Sequence, residues 1–152
     1  MTRENKMELV FESRSVNEGL ARVAVAAFLT QLNPTLEEVA DVKTAVSEAV
    51  TNAIIHGYDG QIEEIRICCH YEEQVFYIEV EDKGKGIEDI KKAMEPLYTT
   101  KPELERSGMG FSFMEAFMDE IYVESLPVRQ GTLVRMQKKI GKGRELWTTQ
   151  SL

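Results

Sequence analysis

The sequence predicts an α+β fold: a two-layer sandwich with a mixed, mostly antiparallel sheet and helices on one face. Three observations predict it. Strand-like runs stand near the start, in the middle and near the end of the chain. Two helical runs, each opened by its own capping signature, lie between the first strand and the others. The order of these segments is not a regular βαβα alternation.

Taken in order, Met7 to Phe11 alternates loosely and makes a short first strand. Ser15 and Glu18, a hydroxyl followed three residues later by a carboxylate, have the form of a capping box. The helix they open is expected to run to about Leu32. Val16, Leu20, Val23, Ala24, Ala27 and Phe28 recur at helical spacing and are its expected buried stripe, with Arg22 off that stripe. Asn33-Pro34 interrupts. Thr35 and Glu38 form a second capping box at the head of a long helix. Leu36, Val39, Val42, Val46, Ala49, Val50 and Ala53 supply its packing face, and the turn residues 57–60 end it. Residues 62–71 and 74–81 read as two strands of a hairpin about Glu72-Glu73. The apolar phase of the second is mixed. A short helical turn is expected around residues 89–94, and residues 96–107 have no periodicity. A loop that long inside a compact domain is more often functional than idle. Gly108 to Met118 reads as a helix, and 121–125 with 131–139 as a closing strand pair.

With 152 residues, the chain is long enough for one domain with a real core and no staples. That domain is expected over residues 1–140, followed by a polar tail over 141–152. The formal charge of -8 argues against a nucleic-acid-binding surface, which needs a basic patch. The two cysteines, Cys68 and Cys69, are neighbours in a strand and point to opposite faces, so no disulfide joins them. They lack metal-ligand spacing and suit a reducing compartment. No apolar run reaches the ~20 residues of a membrane span. The expected location is cytoplasmic, away from the membrane.

Three segments carry chemistry. Glu48 and Asn52 are i and i+4 on the long helix and share a face. They fit a solvated stripe with Ser47 and Thr51. They also fit a site in which Asn52 offers a neutral oxygen to Mg²⁺ and Glu48, one turn away, accepts a proton. Asp82 follows a strand, where a buried carboxylate can accept from an adenine amino group. Gly84 and Gly86 let the backbone approach a ring. Gly108 and Gly110 open a helix whose free N–H groups suit phosphate oxygens. Lys101 and Arg106 precede them and add positive charge. There is no GxxxxGK[ST] loop and no HRD or DFG, so neither a P-loop nor a eukaryotic-type kinase site is present.

The ordered set Glu48-x-x-x-Asn52, Asp82-x-Gly84-x-Gly86, Gly108-x-Gly110 and Gly131-Thr132 resembles the Bergerat-fold (GHKL) ATPases, the group of gyrase B and the histidine kinases. The segments 47–57 and 96–111 are similar to the anti-sigma F branch of that superfamily in sporulating bacteria. The resemblance covers roughly residues 7–139. It implies a serine-protein kinase that binds ATP and Mg²⁺, holds a sporulation sigma factor inactive and phosphorylates a serine of a small anti-anti-sigma protein. It implies that Glu48 is the catalytic base, Asn52 the Mg²⁺ ligand, Asp82 the adenine-binding acid and Thr132 a hydroxyl near the adenine. Residues 97–107, with Thr99, Lys101, Arg106 and Ser107, match the ATP lid. Gly108, Met109 and Gly110 match the phosphate side. Arg22 matches an arginine presented to protein partners, and the family acts as a homodimer. A related general-stress anti-sigma kinase, or a sigma-binding nucleotide switch without kinase activity, are the competing readings. Retention of Glu48 argues against the second, since binding alone needs no base.

Overall fold

The computed structural model describes residues 3–57, 61–84, 110–125 and 131–141. Strand β1 (Glu4–Glu12) leads into helix α1 (Asn17–Leu29), which tightens into a 3-10 turn (Thr30–Leu32). Helix α2 (Leu36–Asn52) follows and widens into a π-helical turn (Ala53–Gly57). Strands β2 (Glu64–Glu72) and β3 (Val75–Asp82) form a hairpin. Helix α3 (Gly110–Phe117) and strands β4 (Glu120–Ser125) and β5 (Thr132–Lys139) complete the described elements. The five strands form one sheet in the order β1-β2-β3-β5-β4, and each pairing is antiparallel.

Strand alternation builds the two layers. Ile65, Ile67, Cys69 and Tyr71 of β2, Phe76, Ile78 and Val80 of β3, and Val134 and Met136 of β5 are buried in one core with the helices. The intervening residues face outward, where Arg66 pairs with Glu8 and Glu81 and His70 stacks on Tyr77 at 4.5 Å. The two cysteines divide as expected: Cys69 is in the core and Cys68 is on the outer face. β3 corrects one expectation. Its phase is clean, with every second residue from Phe76 to Asp82 buried. The outward Val75 and Tyr77 are apolar in composition only; they lie on the half-exposed side.

The helices follow the sequence unequally. The second capping box forms in full: the Glu38 N–H donates to Thr35 Oγ1 at 3.1 Å, and the Thr35 N–H donates to Glu38 Oε1 at 2.8 Å. Such a cap is worth about 1 kcal/mol. Val42, Val46, Ala49, Val50 and Ala53 are buried as read, but Leu36, in the first turn, is 89% exposed.

The first helix departs further. Its N-cap is Val16, without a side-chain cap bond, and Ser15 offers only its backbone carbonyl to the Glu18 N–H. The Glu18 carboxylate is engaged elsewhere, by Ser47 of α2. The buried face of α1 is Ala21, Val25, Phe28 and Leu29, while Val16, Leu20 and Val23 lie outside and Ala27 is exposed. Both stripes have helical period, so periodicity alone does not choose between them. Packing against α2 selects the smaller Ala21 and the Val25–Leu29 side, and leaves an apolar ridge in solvent.

Candidate functional site

The strand ends supply the first half of the site. Asp82 is the last residue of β3 and falls on its inward phase, so the carboxyl is buried at 5% exposure. Across the ladder its partner is Thr132, the first residue of β5 and also buried. The Gly84 N–H donates to Asp82 Oδ1 at 2.9 Å. Burial pushes the Asp82 carboxyl up to about 6; backbone N–H donation from Gly84 and Thr132 opposes the rise, and the charge of Glu81 adds to it. At neutral pH it is therefore an ionised, buried acceptor held by two backbone donors. Gly131 makes that closeness possible. Its φ is +100°, and a Cβ there would lie 1.8 Å from the Asp82 carbonyl oxygen. The sequence reading gave Gly131 no role of its own; the Gly-Thr pair that opens β5 was the available signal.

Helix α2 supplies the second half. Glu48 and Asn52 lie one turn apart, and both are half-buried. Asn52 ends the α-helix where the π turn begins, and that turn touches β3. The Asn52 Nδ2 is buried and has no hydrogen-bond partner among the described residues. A carboxamide in that state costs free energy unless something else binds it. Helix α3, which starts at Gly110, packs along α2. These elements bring Asp82, Gly84 and Thr132 together at the strand ends, and place Glu48 and Asn52 on the helix above the sheet.

Mg²⁺ commonly uses one or two protein oxygens plus phosphates and water. Asn52 carries a neutral oxygen, Oδ1, that could take that part, while its unpartnered Nδ2 is a donor and calls for an acceptor. Among the described residues no group of three His, Cys, Asp or Glu is arranged to hold a metal by itself.

Arg22 stands on α1, with its side chain 42% exposed and Nη1 3.9 Å from Glu18 Oε1. Its Nε is buried without a partner among the described residues. Gly86, Thr99, Lys101, Arg106, Ser107, Gly108 and Met109 lie outside the described residues, as do the 89–94 turn and the tail beyond Gly141. An open depression on the outer sheet face, lined by Lys6, Arg66, Cys68, His70, Glu79 and Glu81 among others, contains none of the site residues.

The family model for the histidine kinase-like ATPase domain matches residues 11–138, which span both halves of the site. The sequence is 62% identical over 141 residues to an anti-sigma F factor of Clostridium botulinum (strain Eklund 17B / Type B), covering 90% of this chain and 95% of that one. It is 58% identical over 144 residues to an anti-sigma F factor of Caldanaerobacter subterraneus subsp. tengcongensis, covering 95% and 100%. The chain belongs to the anti-sigma F factor family. An anti-sigma F factor of Geobacillus kaustophilus is 55% identical over 143 residues, so the family likeness extends across genera. The fold has a solved counterpart in the histidine kinase domain of an Erythrobacter litoralis blue-light activated histidine kinase. Its TM-score is 0.54 at 16% identity, covering 85% of this chain and 64% of that one. At that identity the likeness concerns the fold. Among the described residues of this chain, no helix is long and apolar enough to cross a membrane.

Proposed function

We propose that this anti-sigma F family member is an ATP-dependent serine-protein kinase and sigma-factor inhibitor. It would bind Mg-ATP between the strand ends and α2, and phosphorylate a small anti-anti-sigma protein. The observation that carries the reading is the buried Asp82 carboxylate, wired to Gly84 and Thr132 at the end of β3. Burying an ionised carboxylate is costly, and a further donor such as an exocyclic amine would offset that cost.

In this reading Asp82 accepts from the adenine amino group, and Gly84 and Gly131 keep the strand ends free of side chains. Gly86 and Thr132 border the base. The N-terminus of α3 at Gly110, which Gly108 precedes in the sequence, would receive the phosphates. Thr99, Lys101, Arg106, Ser107 and Met109 are the residues of the preceding segment that the family resemblance assigns to the nucleotide. Asn52 would hold Mg²⁺, which when bound would supply positive charge to offset that of the phosphates. Glu48 accepts the proton of the attacking serine hydroxyl as the serine oxygen bonds to the γ-phosphorus and the bond from that phosphorus to the departing ADP oxygen breaks. Arg22, whose side chain is 42% exposed on α1, meets protein partners, and two copies act together as a homodimer in the cytoplasm.

Glu48→Ala separates binding from chemistry. Phosphoryl transfer is expected to fall by roughly 10²–10⁴-fold with Mg-ATP affinity retained. Transfer at the wild-type rate removes Glu48 from the role of base. Arg22→Glu is expected to weaken capture of sigma factor and of anti-anti-sigma protein, and to do so more than Arg22→Ala, because reversal adds repulsion to a lost contact. A pull-down retaining both partners at wild-type levels moves the docking face elsewhere.

A further inference from the structure

Helix α2 is gripped on two flanks, and one grip is not explained by packing. Its core-facing residues are Val42, Ala45, Val46, Ala49 and Val50. At about 100° per residue, Asp41, Glu48 and Asn52 fall on one shoulder of that face and Ser47 falls on the other. On the first shoulder, Asp41 pairs with Lys138 of β5 at 3.6 Å, and Lys138 Nζ donates to the Phe117 carbonyl at 2.7 Å. On the opposite shoulder, Ser47 Oγ donates to Glu18 Oε1 of α1. The same Oε1 atom is the one 3.9 Å from Arg22 Nη1. Glu18 is thus shielded at 18% side-chain exposure, and Arg22 is more open at 42%.

We propose that Glu18 is a positioning residue: through Ser47 it fixes the rotation of α2, and so the direction in which Glu48 and Asn52 project. One carboxylate oxygen serves both Ser47 and Arg22, so a change at Arg22 reaches the site helix through a single atom. Apolar contacts slide more readily than a directed hydrogen bond. The packed face therefore sets how close α1 and α2 lie, and the Ser47–Glu18 bond sets how α2 is turned. A small misplacement of a reacting group is costly to chemistry, which gives the bond its consequence. The inference deepens the kinase reading and rests on it, because the projection of Glu48 and Asn52 matters only if they face a nucleotide.

The test uses the full chain, labelled with ¹⁵N, first without nucleotide. The readout is the Asn52 side-chain amide resonance, identified by its loss in Asn52→Asp. Glu18→Ala and Ser47→Ala are each expected to move this resonance in the same direction, and the double variant to move it no further. Glu18→Gln retains an acceptor oxygen for Ser47 and is expected to restore the wild-type position. Arg22→Ala is expected to produce a smaller displacement, abolished in the Ser47→Ala background. Calorimetry then compares Mg-ATP with metal-free ADP. Ser47→Ala is expected to weaken Mg-ATP by about three- to tenfold, the scale of a slightly misaligned contact. ADP affinity, set at the strand ends, stays within twofold.

An Asn52 resonance unmoved in the single variants overturns the proposal. So do additive displacements, or a Glu18→Gln variant that behaves as Glu18→Ala. Equal weakening of Mg-ATP and ADP would assign Glu18 to packing and also overturns it. Wild-type protein that binds no Mg-ATP would instead sink the kinase reading, while the resonance test still decides whether Glu18 orients α2.

Discussion

The two halves of the site are held in different ways. At the strand ends, Asp82, Gly84, Gly131 and Thr132 are fixed by backbone: a ladder register, an N–H donor and a glycine pressed against a carbonyl. On the helix, Glu48 and Asn52 inherit their position from side chains, through the packed face of α2 and the contacts of Asp41 and Ser47. Backbone wiring offers few ways to move, so the strand-end half is rigid, as the proposed adenine contact requires. Side-chain wiring can be rearranged by one contact, which suits the part that the proposed function gives to the chemistry.

Breaking the rigid half is expected to give the largest effect. Gly131→Ala places a Cβ against the Asp82 carbonyl, where no flexible side chain can yield, and forces a side chain into positive φ. Overpacking and the left-handed backbone together are expected to cost about 3–4 kcal/mol, read as a fall in the urea midpoint at unchanged slope. A wild-type midpoint would show that the strand ends have room, and that rigidity is not what distinguishes this half.

Asp82 sharpens the comparison by pH. Its folded pKa, about 6, lies above the usual value of 3.8, so the folded state holds the proton more tightly than the unfolded chain. Between pH ~4 and ~6 the folded state therefore binds more protons, and stability falls as pH rises through that window and levels off above it. Nucleotide affinity runs the opposite way, because only the ionised carboxylate is a pure acceptor: binding is expected to weaken as pH drops below about 6. Asp82→Asn should remove both dependences, weaken ATP by about 1–3 kcal/mol, and leave the apo protein at least as stable at pH 7.5. Calorimetric affinities that are flat from pH 5 to 8 in the wild type would detach Asp82 from the base.

The smallest effects test the helices. Thr35→Ala removes one side of a formed capping box and is expected to cost about 1 kcal/mol. Ser15→Ala, where the same sequence signature forms no side-chain cap, is expected to change stability by less than about 0.5 kcal/mol. Equal losses at both positions in thermal melts would mean that Ser15 caps α1 in solution.

These two signatures show how far the sequence can be read. Ser15…Glu18 and Thr35…Glu38 are the same local pattern, yet one closes and the other does not. Glu38 has its own N-cap as a near partner and also accepts from the Gly141 N–H at 2.9 Å. Glu18 is drawn across to Ser47. The stripe of α1 differs from expectation for a related reason: Phe28 is buried as expected, but Val16-Leu20-Val23 and Ala21-Val25 both have helical spacing, and only the position of α2 decides which is inside.

By itself the sequence determined the fold class and the approximate positions of the described elements, and it nominated the residues of the candidate site. Glu48 and Asn52 share a face because of helical pitch, and Asp82 with its glycines marks a strand end that a ligand can approach; both are local properties of the chain. The tertiary structure alone decided that Asp82 continues the buried phase of β3, that Gly131 is pressed onto it from β5, that the outer face of α1 is apolar, and that Glu18 reaches Ser47. Each of these joins residues far apart in the chain. Their contacts exist only once the sheet register and the docking of α1 on α2 are set, and no local pattern encodes that.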